Sequence, residues 1–166
     1  MSFRRLERVV SSPCPVEPDG LFDGLRWSLI LGGAVLDHVL SFLALLPILV
    51  LVGGTEALSG DEESVNRVID QTVLAPEFLL WSLIVGVLIT SCAAFWVARR
   101  AGVLPLRHGG WTAVAALMLG AVFLLFPGAT SGPQPPLWYV FLGYAFMIPA
   151  GVFGGWLAAR ASGKNA

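Results

Sequence analysis

The chain has 166 residues, of which 56% are hydrophobic and 13% are charged, and its formal net charge is −1. Soluble domains average about 45–50% apolar and about 25% charged residues, so this composition leaves too little polar surface for a water-facing shell. It excludes a soluble globular enzyme, a disordered chain and, with so small a net charge, a nucleic-acid-binding protein. We predict a single all-α domain in a lipid bilayer.

The first 24 residues precede the long apolar runs, and we predict a cytoplasmic N-terminal segment over residues 1–24. Within residues 1–10 (MSFRRLERVV), apolar residues recur at roughly helical spacing among three arginines. This pattern is typical of a short interfacial helix on an anionic leaflet, and it fits a solvated tail equally well. Prolines at positions 13, 15 and 18 end any such helix before the next segment.

Four apolar runs follow, and each predicts a membrane-spanning helix within a domain of residues 25–160. A helix needs about 17–25 residues to cross a hydrocarbon core about 30 Å thick. Continuous apolar runs indicate helices rather than the alternating strands of a barrel. The predicted spans cover residues 25–52, 78–98, 111–127 and 137–159, and residues 161–166 form a cytoplasmic tail. The third run reaches spanning length only with help from its flanking glycines and proline.

The loop after the first span contains the segment SGDEESVNRVIDQTVL, which predicts a short amphipathic helix. Ser59 or Asp61 is placed to cap its start. Its apolar edge consists of Val65, Val68, Ile69 and Val73. Consecutive carboxylates do not converge on a helix, so the acidic run at residues 61–63 predicts a solvated face rather than a metal site.

The basic residues predict the orientation of the chain. Nine of the ten lie on one side of the predicted spans, and only Arg67 lies on the other. Cytoplasmic loops carry an excess of Lys and Arg, so both termini are predicted to be cytoplasmic. All six tryptophans lie near predicted helix ends, at the boundary that their amphipathic rings favour. We therefore predict a multi-pass protein of the plasma (bacterial inner) membrane.

Small residues recur at four-residue spacing in the predicted spans. Lipid tails are as apolar as leucine, so close backbone contact must drive helix association. We predict that Gly86, Gly151 and Gly155 permit this contact within a four-helix bundle. A small-residue row not used inside the bundle would face a partner, either a second copy of the chain or another membrane protein.

Asp37 is the only carboxylate inside a predicted span, and His38 follows it. On a helix, Asp37 and Ser41 belong to one narrow polar stripe, which should face the other helices, whereas His38 points about 100° away. Counting inward from the helix ends places Thr90 and Tyr144 within about one turn of Asp37. We therefore predict an intramembrane polar site of Asp37, His38, Ser41, Thr90 and Tyr144. No Arg or Lys lies near this depth, so we expect a protonated, hydrogen-bonded Asp37.

Two functions remain open for this site. Asp37 either joins helices in a non-catalytic accessory or assembly subunit, or it serves a proton- or cation-coupled transporter or channel. No G-x-S-x-G, H-E-x-x-H or Walker motif is present, so we do not expect an enzyme. The sequence predicts no metal and no cofactor, because the cysteines form no C-x-x-C pair and His108 falls in the loop between the second and third spans.

Overall fold

The computed structural model describes residues 20–54, 62–123, 125–126 and 134–163, and these residues form helices and turns without a strand. The helices are α1 (Trp27–Gly53), α2 (Glu62–Val73), α3 (Pro76–Ala101), α4 (Pro105–Phe123) and α5 (Leu137–Ala161). The all-α prediction is confirmed. Most of the predicted N-terminal segment lies outside the described residues, and so does the end of the predicted tail.

Among the described residues, three helices are long and apolar enough to cross a membrane, which indicates a membrane protein. These candidate spans are Trp27–Val52, Pro76–Ala101 and Leu137–Ala161. They match the first, second and fourth predicted spans. The third predicted span, at residues 111–127, is not among them. Its helix, α4, begins six residues earlier than predicted, and it includes Arg107 and His108, which lower its apolar character.

Proline and glycine set the two ends of α3. Pro76 occupies the first turn of α3, where a missing N–H costs no intrahelical hydrogen bond. At its other end, Gly102 adopts φ 70°, and its N–H donates to the carbonyl of Ala98. Glycine reaches this left-handed conformation without the steric cost of a Cβ, so it ends the helix. Only residues 102–104 separate the two helices, which therefore form a tight hairpin.

The long helices pack around a core of small residues. Helix α3 contacts α1, α4 and α5, and α4 also contacts α1 and α5, but within the described residues no backbone contact joins α1 to α5. Buried alanines of the core include Ala34, Ala93, Ala94, Ala98, Ala113, Ala116, Ala150, Ala158 and Ala159. Many large apolar side chains lie outside, as at Leu51, Phe141 and Leu137. Small residues inside and large apolar residues outside are typical of helices packed in lipid.

Helix α2 confirms the amphipathic helix predicted in the first loop. It runs from Glu62 to Val73 and contacts α1 and α3. Its side chains include the Arg67 guanidinium, which donates to a Glu63 carboxylate oxygen at 3.0 Å on the exposed face. The two capping residues expected before it, Ser59 and Asp61, lie outside the described residues.

Glycines bring the backbones of α3, α4 and α5 together. A Cβ added at Gly151 would lie 2.6 Å from the carbonyl oxygen of Gly109, and one added at Gly155 would lie 3.1 Å from the Cα of Leu106. A Cβ added at Gly154 would lie 2.9 Å from the backbone nitrogen of Phe95. Gly151 and Gly155 thus lie at close contacts between α4 and α5. Gly86 was predicted to permit close contact between helices, but a Cβ added there would meet no atom within 4 Å.

Candidate functional site: a cavity at Asp37

Asp37 lies near the middle of α1 and is buried against α3, with 3% of its surface exposed. The hydroxyl of Thr90 donates to its Oδ1 atom at 2.8 Å. Thr90 lies near the middle of α3 and is also buried. The two residues that were predicted to share a depth in the membrane are thus in direct contact, and they join α1 to α3.

His38 points away from this contact. Its Nδ1 atom is hydrogen-bonded to the carbonyl oxygen of Ala34, one turn earlier, at 3.0 Å. Its ring lies 5.6 Å from the ring of Phe123 on α4, measured between centroids. The distance from Nδ1 to Asp37 Oδ2 is 3.9 Å, beyond hydrogen-bond range. His38 therefore does not line the same space as the other members of the predicted polar site, although its Nδ1 atom stays within ion-pair distance of the Asp37 carboxylate.

A cavity of about 530 Å³ lies beside Asp37, between α1, α3 and α5. Among the described residues, α1 and α5 make no backbone contact with each other, and the part of α3 between them lines this space. Its polar lining consists of Asp37, Ser41, Ser82, Thr90, Gln134, Tyr139 and Tyr144. Its other lining residues are Leu83, Gly86, Val87, Pro135, Val140, Gly143 and Met147. Four of the five predicted polar-site residues thus line one space, together with Gly86.

The cavity extends along the helices from the start of α5 to Asp37. Ser82 and Thr90 both line it and are eight residues apart on α3, which corresponds to about 12 Å. At the Ser82 end, the Tyr139 hydroxyl lies 2.9 Å from the Ser82 hydroxyl, which also donates to the carbonyl of Leu79. Asp37 lies at the opposite, deeper end.

The electrostatics of the cavity depend on Asp37. No Lys, Arg or His lines it, and Asp37 is its one carboxyl group within the part of the chain that the structure describes. The described residues also contain no group of three His, Cys, Asp or Glu side chains arranged to hold a metal ion. The lining can thus accept a proton or one positive charge at Asp37, and it offers no cationic group to an anion.

The predicted polar site does not include Gln134, Tyr139 and Gly143, which also line this space. Tyr139, Gly143 and Met147 follow one another at four-residue spacing, so they share a face of α5. That spacing was the available signal. It did not reveal that this face lies beside a gap rather than against a neighbouring helix.

His108 lies inside the fold rather than in the predicted loop. It belongs to the first turn of α4, and none of its surface is exposed. Its Nε2 atom accepts a hydrogen bond from the backbone N–H of Arg26 at 3.1 Å, and its Nδ1 atom lies 3.1 Å from the carbonyl oxygen of Leu104. His108 therefore joins the start of α1 to the start of α4 and has a structural role.

Comparison with known proteins finds no matching family model, no similar curated protein and no similar solved structure.

Proposed function

We propose that the protein is a small, non-catalytic membrane transporter in which Asp37 binds a proton or another monovalent cation inside the cavity. The observation that carries this proposal is the position of the Asp37 carboxylate on the wall of a cavity of about 530 Å³. Ionisable groups inside a membrane are costly and mark transport pathways and proton relays. Ligand-binding cavities commonly measure about 300–1,000 Å³, so this space is of a suitable size.

The surrounding residues support this role. Thr90 holds Oδ1 of Asp37 through its hydrogen bond and thereby orients the carboxylate. Ser41 and Tyr144 line the same space and supply hydroxyl groups near the path to Asp37. In this proposal a solute enters beside Ser82 and Tyr139, and it exchanges with the proton at the deep end.

The proposed topology has four crossings, with both termini in the cytoplasm of a plasma (bacterial inner) membrane. The 19 residues of α4 correspond to about 28 Å, close to the thickness of a hydrocarbon core. His108 and Thr112, its polar side chains nearest the arginines, are buried among the other helices instead of facing lipid. The described arginines other than Arg67 lie at one end of the helices, which we term the arginine-rich end and assign to the cytoplasm. They are Arg26, Arg99, Arg100, Arg107 and Arg160.

Proton flux tests the role of Asp37. Purified protein in liposomes that contain a pH-sensitive dye should change the internal pH faster than protein-free liposomes when a membrane potential or a gradient of Na⁺ or K⁺ is imposed. Asp37→Asn should abolish this difference, because the amide binds no exchangeable proton in this pH range. The amide oxygen still accepts the Thr90 hydrogen bond, so the fold should persist.

Asp70→Asn is the matched control, because it makes the same chemical change on the exposed face of α2. It should leave the proton flux unchanged. A folded Asp37→Asn protein with wild-type flux would overturn the proposed function, and so would wild-type protein that carries no protons under any of these gradients or under a gradient of an organic cation.

A second candidate function is that of an assembly subunit, as a homo-oligomer or with another membrane protein. In this function the hydrogen bond between Asp37 and Thr90 has a structural role within the chain, because a polar contact of this kind joins helices in lipid. This function predicts that Asp37→Leu disperses or misfolds the protein, whereas Asp37→Asn preserves its assembly. Size-exclusion chromatography in detergent, with and without crosslinking in membranes, separates these outcomes.

A further inference from the structure

We propose that the solute of this cavity is an organic ammonium ion with an apolar body, rather than a metal ion or an anion. This inference rests on the proposed function, because it assigns the substrate class of the same site. It follows from three features of the cavity: its charge, the number of its oxygen ligands and the character of its walls.

The charge of the lining selects a single positive charge. An ionised Asp37 carboxylate is the one full charge that the described lining residues provide. Its Oδ1 atom is held by Thr90, and Oδ2 lies beyond hydrogen-bond distance of the nearest histidine nitrogen. An ammonium group can neutralise the carboxylate and donate to it, and charge-assisted hydrogen bonds of this kind are stronger than neutral ones. An anion would meet like charge without compensation.

The oxygen ligands are too few for a divalent metal ion. Calcium takes six to eight oxygen ligands, and magnesium requires near-octahedral geometry with carboxylates. The cavity provides one carboxylate and several scattered hydroxyls, and the described chain contains no three-residue ligand cluster. The space is also far larger than a bare ion, so a metal ion would leave most of it unfilled.

The walls favour an apolar body attached to the charge. Leu83, Val87, Val140 and Met147 supply aliphatic and thioether surface along the cavity. Tyr139 and Tyr144 supply aromatic rings, which attract cations and pack against apolar groups. Two glycines in the lining, Gly86 and Gly143, project no side chain into the space and keep it wide. An ammonium group at Asp37 with an aromatic or aliphatic body toward Tyr139 matches this arrangement.

Three probes that share one aromatic body test the charge selection. Isothermal titration of the purified full chain in detergent compares 2-phenylethylammonium, 2-phenylethanol and phenylacetate, which carry a positive, zero and negative charge. The ammonium should bind about tenfold more tightly than the alcohol or better, the expected gain from one charge-assisted hydrogen bond. Phenylacetate should not bind. Asp37→Asn should lower the affinity for the ammonium to that for the alcohol, and Asp70→Asn should leave it unchanged.

A cavity-filling variant provides a test that does not alter Asp37. A Cβ at Gly86 meets no atom within 4 Å, so Gly86→Leu fills the space without displacing a neighbouring helix. It should abolish binding of the ammonium. Gly32→Leu is the matched control, because Gly32 is exposed on α1 and a Cβ there also meets no atom. It should bind the ammonium as the unchanged chain does.

The outcomes separate the two proposals. Equal binding of the ammonium and the alcohol, or ammonium binding that survives both Asp37→Asn and Gly86→Leu, would overturn the substrate class. Displacement of the ammonium by Mg²⁺ or Mn²⁺ at equal concentration would overturn it in favour of a metal ion. Proton flux that depends on Asp37 without ammonium binding would refute only the substrate class. Ammonium binding without proton flux under any gradient, including a gradient of 2-phenylethylammonium, would refute transport and leave the binding site standing.

Discussion

Each buried polar side chain in the middle of this protein is held by a short hydrogen bond inside the chain. Asp37 accepts from Thr90, Ser91 donates to the carbonyl of Val87, and Thr112 donates to the carbonyl of His108. Among the described residues, no fully buried side-chain nitrogen or oxygen lacks a partner. A bilayer supplies no water to replace a missing partner, so this complete pairing is required of a membrane protein.

We predict that His108→Leu lowers the free energy of unfolding by about 0.5–1.5 kcal/mol, the net contribution of one hydrogen bond, which here is part-buried. The donor is the backbone N–H of Arg26, which Leu cannot accept. His108→Gln should recover most of the stability, because its side-chain oxygen can occupy the position of Nε2. Thermal unfolding in detergent measures both variants. Equal losses in the two would mean that packing, rather than this hydrogen bond, determines the effect.

Helical geometry accounts for what the sequence could predict about individual residues. Counting residues along each span predicted that Asp37 and Thr90 lie within about one helical turn of each other in depth. The angle of about 100° per residue predicted that His38 points away from them. His108 escaped prediction because its partner, Arg26, is 82 positions away along the chain and is a backbone group. Periodicity within one helix carries no information about such a contact.

At the scale of the helices, hydropathy located the apolar runs better than it located the helix ends. The third span was predicted to start at Trp111 because the strongly apolar part of that run begins there. The helix instead starts at Pro105, a residue whose fixed φ favours a first turn, so that Arg107 and His108 become helical. The Arg107 guanidinium donates a hydrogen bond to the carbonyl oxygen of Gly20 at 3.0 Å. This contact holds the charged group at the segment before α1.

We predict that Gly154→Ala destabilises the contact between α3 and α5. Its Cβ would lie too close to the carbonyl oxygen of Ser91 and 2.9 Å from the nitrogen of Phe95, both backbone atoms that cannot rotate away. The expected loss is about 1–3 kcal/mol, as for other overpacked sites. Gly143→Ala on the same helix meets no atom and should be neutral or slightly stabilising, because Ala favours a helix. Thermal unfolding in detergent compares the pair, and similar melting temperatures would contradict the prediction.

For the whole molecule, aromatic and basic residues together define the arginine-rich end. The guanidinium of Arg160 lies 4.3 Å from the ring centroid of Trp156, and that of Arg100 lies 6.0 Å from that of Trp96. Rings of Phe22, Trp27 and Trp111 form a further cluster at this end, with centroids 5.0–6.1 Å apart. Such pairs are typical of a membrane boundary, where rings stay in the interface and charges reach water.

We predict that Ser162→Cys, beyond the end of α5, reacts with a membrane-impermeant maleimide only after the cells are opened. Asn66→Cys on α2 should react in intact cells, because α2 follows α1 on the opposite side of the membrane. Both variants carry Cys14→Ser and Cys92→Ser, since Cys92 is exposed on α3. Labelling of Ser162→Cys in intact cells would contradict the proposed orientation.

The close backbone contacts are distributed unequally among the helices. Glycines place the backbones of α3, α4 and α5 in close contact. The close contact of α1 with α3 and α4 is at Gly33, and hydrogen bonds join it to them at Asp37 and at the residue before its first turn. Only 11% of the most apolar window of α1 is buried, against 33% of that of α3. Helices α3, α4 and α5 thus form the tightly packed part of the fold, and α1 is the long helix with the fewest backbone contacts to the others. For the proposed transport function, we therefore expect the space beside Asp37 to open by a displacement of α1 that pivots at His108.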